Sequence, residues 1–580
     1  MRFKTKEHKM YAVEDDDFDD FQDACETYDM PADMTLEKSL QEAQLAIDYF
    51  FNNKFDEARG LVTPYANSSL YHSLGNSVFY FLEAVLTFDP HYIGEASNAL
   101  KLTLSVCNRY RKKNTISESV KSMVGKTNYE QYTEMEAHAE QCYAECLLLK
   151  ALLTFMEDET LASFIKAGLK IRSCFNSMKD CSQILQEKNW GSSPTKVHFE
   201  SGVKLGLGAF NLMISMLPGR VIKLLEFIGF SGNKELGLAD LQSGFENQGL
   251  HQVLCAMVLL GYHLITMYVL SDVHVADGFD ICEKILANQS SKYPNGVWFN
   301  FFKGRMEFMK CNLDGAIEWY TKAWKSQDKW EQFHHFCYWE LTWVNCLKQE
   351  WGQAEQFTTY LIEKSKWSRT SYCYQKFAIM LMSCNNKPND QQKATIEELL
   401  KKTIKYKQRV AGKSIPIEKF CVKKAERYLD NPNNLIVPIL ELMYLWNMFK
   451  ILKGNQKVAG NILKLIESAE KSLDGGKNKY DTDKKAVLLL LKGACLRQLN
   501  SPLQALEALE GVLALQKNIV EDTYTVPFAV VEIGLLEWDQ GNTEKAIGAF
   551  EDAKKNFARY FLEARLHFRI HTALQELKKE

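Results

Sequence analysis

Residues 304–323 of the chain read GRMEFMKCNLDGAIEWYTKA. Small side chains at Gly304, Ala316 and Ala323 are spaced 12 and 7 residues apart in this stretch, and the bulky Tyr320 lies four residues after Ala316. Helical side chains three or four residues apart share a face, so the stretch predicts two antiparallel helices joined by a short turn. Small residues let the two helices approach closely, and the tyrosine fills the space between them.

The same offsets recur at three other places in the chain. The matching sets are Gly493, Ala505, Leu509 and Val512, then Gly534, Ala546, Phe550 and Ala553, and near the N-terminus Ala46, Ala58, Val62 and Tyr65. This is the small/small/large signature of a tetratricopeptide helix pair, which must stack on neighbours to bury its apolar face. The sequence therefore predicts an all-α chain, an α-solenoid of stacked antiparallel helix pairs. A groove along such a stack binds other polypeptides.

Length and composition agree with a solenoid. The 580 residues exceed one compact core, and 46% hydrophobic residues exclude disorder of the whole chain. The counts of 31 glycines and 12 prolines are low, which suits helices joined by short turns. A net charge of −3 gives no overall attraction to nucleic acid, so we predict protein partners and no nucleic acid.

Cysteine usage and the N-terminus favour a cytoplasmic location. The 15 cysteines are scattered and include no C-x-x-C pair, so we interpret them as reduced, small apolar residues. The chain begins MRFK, and no apolar stretch follows that would predict a secretory signal.

Changes of composition divide the chain into four regions. Residues 1–33 are acidic and predicted to be disordered, and residues 34–192 carry the first helical repeats. Residues 193–250 form an apolar, glycine-rich helical block outside the repeat pattern. Residues 251–580 continue as a tetratricopeptide-like array that ends in a capping helix.

The motifs of common enzymes are missing from the sequence. It contains no phosphate-binding loop and no G-x-S-x-G elbow. His567 and His571 are one helical turn apart, but Phe568 stands where a zinc protease has glutamate, and no third ligand is near. We therefore predict a non-enzymatic protein with no cofactor and no metal site.

A charge-free run between Glu246 and Asp272 leaves a second interpretation open. Roughly 20 apolar residues are enough to span a bilayer. This run also contains His251 and His263 and lacks flanking basic clusters, so a buried helix pair explains it equally well. The alternative function is a peripheral or tail-embedded organelle-membrane protein that uses residues 247–271.

Residues 401–427 form a basic arc that is the candidate partner-binding site. Its candidate binding residues are Lys401, Lys402, Lys405, Arg409, Lys423 and Lys424. Such an arc could hold an acidic peptide, a phosphorylated partner or an anionic membrane. The pattern favours a plainer interpretation, the solvated outside of two helices, balanced by Glu397 and Glu398.

Four stretches carry a resemblance to a known family. They are FNLMISMLP at 210–218, LLEFIGFSGNKELG at 224–237, NNKF at 52–55 and FIKAGLKIR at 164–172. On these residues the chain resembles the tetratricopeptide repeat protein 39, or inclusion-body-clearance, family from about Leu36 to the C-terminus. The resemblance implies an α-solenoid adaptor associated with inclusion clearance, protein turnover and lipid regulation, and it implies no catalytic residues.

The repeats depart from the general tetratricopeptide consensus. No proline stands at the expected end position, and Asn300, Leu489 or Val530 replaces the tryptophan of the first helix. Binding of a peptide carboxylate, which some tetratricopeptide proteins perform, is therefore not implied.

Overall fold

The computed structural model describes residues 34–87, 89–112, 128–157, 161–216, 232–271, 276–410, 413–473 and 478–578. The predicted acidic segment 1–33 and residues 217–231 of the central block lie outside the described residues. The described chain is all-α apart from two antiparallel two-residue strands, β1 (Arg409–Val410) and β2 (Lys413–Ser414). The predicted fold class is confirmed.

Eight α-helices are described before residue 250. They are α1 (Leu36–Phe51), α2 (Phe55–Val62), α3 (Leu70–Thr87), α4 (Pro90–Tyr110), α5 (Glu134–Glu157), α6 (Leu161–Glu187), α7 (Lys196–Ser215) and α8 (Lys234–Glu246). Sequential helices pack as pairs, and α4 also packs on α5. The pairs therefore stack on each other.

The charge-free run forms one helical rod. It comprises α9 (Gln252–Gly261), a π-helical turn (Tyr262–Thr266) and α10 (Met267–Leu270), and α11 (Ala276–Lys292) follows it.

The remaining helices form the C-terminal array. They are α12 (Val297–Met309), α13 (Leu313–Lys325), α14 (Gln332–Lys348), α15 (Trp351–Lys364), α16 (Arg369–Ser383), α17 (Asp390–Lys405), α18 (Pro416–Asp430), α19 (Pro438–Leu445), α20 (Gln456–Lys471), α21 (Asp481–Gln498), α22 (Pro502–Ala514), α23 (Thr525–Asp539), α24 (Thr543–Asn556) and α25 (Glu563–Leu577). Short 3₁₀ turns lie at Thr63–Tyr65, Tyr129–Gln131, Pro432–Asn434, Met448–Gly454 and Gln516–Asn518.

The tight turns inside the helix pairs share one backbone conformation. The turn residues Asn53, Cys311, Gln349 and Asn500 have φ of 64°, 56°, 63° and 57°, and Gly541 has φ of 79°. A left-handed residue ends the first helix and reverses the chain within two or three residues. Each such turn therefore sets its pair antiparallel.

The first helix pair does not stack only on its sequence neighbour. Asn53 in its turn donates from Nδ2 to Asn295 O at 2.6 Å and accepts at Oδ1 from Val297 N at 3.0 Å. The Phe55 ring stacks on Trp330 with centroids 5.1 Å apart. The pair α1/α2 therefore packs on the start of the C-terminal array, about 240 residues further along the chain. The domain limits at 192 and 250 stay predictions.

Candidate functional site

The repeat positions lie in the seams between paired helices. A Cβ added to Gly304 would lie 2.6 Å from Tyr320 Cδ1, so the two helices touch at this glycine. Tyr320 itself is fully buried, as are Ala316 and Ala323. The small residue at the start of the motif therefore faces the large residue sixteen positions later.

The other two C-terminal copies have the same geometry. A Cβ on Gly493 would lie 2.5 Å from Leu509 Cγ, and one on Gly534 would lie 2.8 Å from Phe550 Cε1. The remaining predicted seam residues are fully buried: Ala505, Ala546 and Ala553. The structure thus brings the three C-terminal sets together, whereas in the N-terminal set Ala46, Ala58 and Val62 share a core cluster and Tyr65 is only half-buried.

The charge-free rod is held by the array through its carbonyl groups. Asn447 Nδ2 donates to Tyr268 O at 2.9 Å, and Lys450 Nζ donates to Ser271 O at 2.6 Å. The last carbonyls of a helix have no partner within the helix, so these donors satisfy groups that burial would otherwise penalise.

Arg305 joins the same rod to a repeat seam. Its Nε donates to Leu264 O at 2.9 Å, and its Nη1 lies 2.8 Å from Glu340 Oε2. Glu340 also accepts the hydroxyl of Tyr320 at 3.2 Å. The chain's own residues therefore cover the face of α12 that carries Arg305, and a partner cannot use that face.

Within the described residues one helix is long and apolar enough to cross a membrane, Gln252–Leu270, with a mean hydropathy of 2.1. Three of its leucines, Leu259, Leu260 and Leu264, are buried in the largest apolar core. Its His263 is half-buried, and burial lowers the pKa of this imidazole to about 4. The packing of these leucines agrees with the buried-helix interpretation, which the sequence left open as an alternative to a membrane span.

Lys424 was predicted as a partner-binding residue, and this prediction is wrong. The side chain is buried, and its Nζ lies 2.6 Å from Glu441 Oε1 and 2.9 Å from Asp522 Oδ1. Arg427 Nη1 lies 2.8 Å from the other oxygen of Asp522. Burial raises the pKa of Glu441, against the opposing effect of Lys424. The lysine ties α18 to α19 and to the turn before α23.

Three other lysines of the basic arc, Lys401, Lys402 and Lys423, have acidic neighbours. Ion pairs of 2.6 Å, 2.6 Å and 2.9 Å join Lys401 to Glu397, Lys402 to Glu398 and Lys423 to Glu426. Lys405 is exposed, and Arg409 belongs to β1, its side chain lying outside the described residues. Neighbouring carboxylates balance much of the positive charge, which agrees with the plainer interpretation.

A cleft of about 880 Å³ opens beside the buried ion network. The partly exposed apolar residues Leu435, Ile436 and Leu473 line it. Asparagine side chains line it too, from Asn431, Asn433 and Asn478, and the Asn478 amide is already bonded at both ends, to Asn434 Oδ1 and to Tyr480 N, each at 2.9 Å. Its chemistry combines apolar contact with amide groups that can donate and accept hydrogen bonds.

Sequence reasoning missed this cleft. Residues 430–434 read DNPNN, a pattern that signals a loop but also concentrates amide groups. Asn434 is buried and joins the cleft to the buried ion network. Its Nδ2 donates to Arg427 O at 3.1 Å, and its Oδ1 accepts from Asn478 Nδ2 at 2.9 Å. The run of asparagines was the available signal.

Metal chemistry finds no support in the part of the chain that the structure describes. No group of three histidine, cysteine, aspartate or glutamate residues there could hold a metal ion. The cysteines described are free thiols, and burial raises the pKa of many of them, as at Cys255, to about 12.

Comparison with known proteins places the chain in a family. The family described as Iml2/Tetratricopeptide repeat protein 39 matches residues 44–499. Tetratricopeptide repeat protein ttc-39B of Caenorhabditis elegans is 34% identical over 545 residues, which cover 93% of each chain.

Two solved structures match most of the chain at low similarity. Yeast Tom70 is 13% identical with a TM-score of 0.26, over 94% of this chain and 96% of that one. The Cut9–Hcn1 hetero-tetramer of APC/C is 12% identical with a TM-score of 0.23, over 93% of this chain and 96% of that one. The family match and the ttc-39B relative decide the assignment: the chain belongs to the Iml2/tetratricopeptide repeat protein 39 family.

Proposed function

We propose that this protein is a non-enzymatic scaffold that binds an extended segment of another polypeptide in the cleft between α16, α18, α20 and α21. The observation that carries the proposal is the combination, in one cleft of about 880 Å³, of apolar residues with asparagine side chains. Partner binding is the usual role of stacked helix pairs, which expose long surfaces.

The chemistry of the cleft suits a polypeptide backbone. An extended peptide presents one N–H donor and one carbonyl acceptor per residue, and a carboxamide can pair with both. Ile436 and Leu473 would contact alternate side chains of the peptide. Both charge signs line the cleft, from Asp430 and Asp481 to Lys479 and Lys484, so the net charge of the partner is not the selecting property.

Family membership supports a finer proposal about the partner. We propose that the bound segment belongs to a client directed to inclusion clearance or protein turnover, that lipid regulation follows from such turnover, and that the protein acts in the cytoplasm. The resemblance of the central block supports this proposal, and the cleft supplies the contact.

Proximity labelling in cells with the full chain tests the cleft. Asn433→Ala removes an exposed amide from the wall, and Ile436→Glu places a charge among the apolar lining residues. Asn518→Ala is the matched control, because Asn518 is equally exposed but lies outside the cleft. We expect the two cleft variants to lose the same subset of neighbours and the control to keep it.

Circular dichroism and thermal melting establish that each variant is folded. If folded Asn433→Ala and Ile436→Glu keep every neighbour that the wild type labels, the cleft is not the binding site.

A further inference from the structure

A second cavity, of about 330 Å³, lies where the N-terminal pairs meet the charge-free rod. Helices α1 and α3 form two walls, and the start of α9 together with Trp298 forms the others. The side chains around it are almost all apolar, among them Phe50, Val78, Leu82 and Met257. Such walls offer water few hydrogen bonds, so the cavity suits an apolar occupant.

One carboxylate faces this apolar space. Glu145 of α5 lines the cavity, and its side chain keeps 19% of its surface accessible although helices surround it. His251 Nε2 lies 3.0 Å from Glu145 Oε1, and Gln141 Nε2 donates to the same oxygen at 3.0 Å. Within the described residues both contacts fall on Oε1, which leaves Oε2 to accept a donor from the cavity.

The polar pair is fixed in place by the surrounding helices. The backbone N–H of His251 donates to Ser201 Oγ at 3.2 Å. Burial acts to raise the pKa of Glu145, but His251 and Gln141 outweigh it and lower that pKa. The carboxylate is therefore ionised at neutral pH, and a hydrogen bond to an ionised acceptor is stronger than one to a neutral group.

We propose that this cavity binds a small amphiphile, whose apolar body contacts the walls and whose single hydroxyl donates to Glu145 Oε2. Apolar walls favour a hydrocarbon chain or ring, since apolar surface gains free energy when it leaves water. An uncharged hydroxyl suits the site better than a cation, because His251 already lies against the carboxylate and the walls offer a charged head no other partner.

The test uses the purified full chain and two probes with the same decyl chain, decanol and decyl methyl ether. Each is titrated against a fluorescent apolar dye, N-phenylnaphthylamine, and only decanol carries a donor. We expect decanol to bind about tenfold more tightly than the ether, as a hydrogen bond to an ionised group implies. In Glu145→Gln we expect the affinity for decanol to fall toward that of the ether, with the affinity for the ether unchanged.

Filling the cavity provides an independent arm. Val78→Phe on α3 projects a larger side chain into the space and should abolish displacement of the dye by either probe. Val85→Phe is the matched control, because this half-buried valine lies on the same helix outside the cavity and should bind as the wild type does. Thermal melting verifies folding, and Leu82→Phe replaces Val78→Phe if that variant is unfolded.

Two results would overturn the proposal. One is equal affinity of the wild type for decanol and its ether, which would remove the role of Glu145. The other is unchanged binding in a folded cavity-filling variant, which would place the probe elsewhere.

Discussion

Replacing Gly304 by alanine tests the physical basis of the repeat seams. The new Cβ would lie within 2.6 Å, 2.8 Å and 3.0 Å of three Tyr320 ring atoms. That ring cannot easily move, because it is fully buried and its hydroxyl donates to Glu340 at 3.2 Å.

Two opposing effects set the size of the change. Alanine in place of a helical glycine stabilises by about 1 kcal/mol, whereas overpacking a core destabilises by about 1–3 kcal/mol. We expect a net loss of about 1 kcal/mol for Gly304→Ala. Gly548→Ala is the control, because Gly548 is exposed within α24 and an added Cβ there meets nothing within 4 Å. This control should gain about 1 kcal/mol.

Hydrogen exchange measured by mass spectrometry is the suitable assay, since a repeat array need not unfold in one step. Peptides covering 297–325 should exchange several times faster in Gly304→Ala, and distant peptides should be unchanged. Gly548→Ala should slow exchange around α24. If Gly304→Ala protects its own helix pair as well as the wild type does, the small-facing-large account of the seam is refuted.

Three further outcomes follow from the structure. Lys424→Ala leaves the buried Glu441 carboxylate without a cation, while Asp522 keeps Arg427, and should destabilise by about 3–5 kcal/mol, read as a fall in Tm, whereas surface Lys423→Ala should leave Tm unchanged. The folded pKa of His263, about 4, lies below the ordinary 6.5, so the unfolded chain binds the proton first. Stability should therefore fall as pH drops from 6.5 toward 4, and the slope should be shallower in His263→Gln. Carbonate should release the protein from membrane fractions, because Gln252–Leu270 packs in the core.

Each of these outcomes can fail. A stable Lys424→Ala would contradict the burial of its carboxylate partners, an unchanged acid slope in His263→Gln would show that other groups control acid unfolding, and resistance to carbonate would favour a membrane span.

Local sequence spacing was enough to predict the helix pairs. The contact between Gly304 and Tyr320 joins residues sixteen positions apart, so their sizes alone indicate that the two helices meet. The burial of Lys424 could not be predicted in this way. It differs from exposed Lys423 by one position on α18, and its partners lie at residues 441 and 522.

The two cavities are lined by residues that lie far apart in the sequence, so no local spacing pattern predicts them. Glu145 lies on α5 and His251 directly precedes α9, so the two residues meet only in the folded chain. The asparagines at 431, 433 and 434 were visible in the sequence, but only the fold shows that the Asn478 side chain bonds to Asn434. The chemistry of each side chain could be predicted from the sequence, but its contact partners in the folded protein could not.

The docking of Asn53 against residues 295–297 has a consequence for how the protein is made. A ribosome releases the first hairpin about 240 residues before its stacking surface exists. At roughly 5–20 residues per second, the delay is about 12–50 seconds, during which Phe55 has no Trp330 to cover it. The first hairpin therefore has an uncovered apolar face over that interval, and slower translation would lengthen its exposure to aggregation.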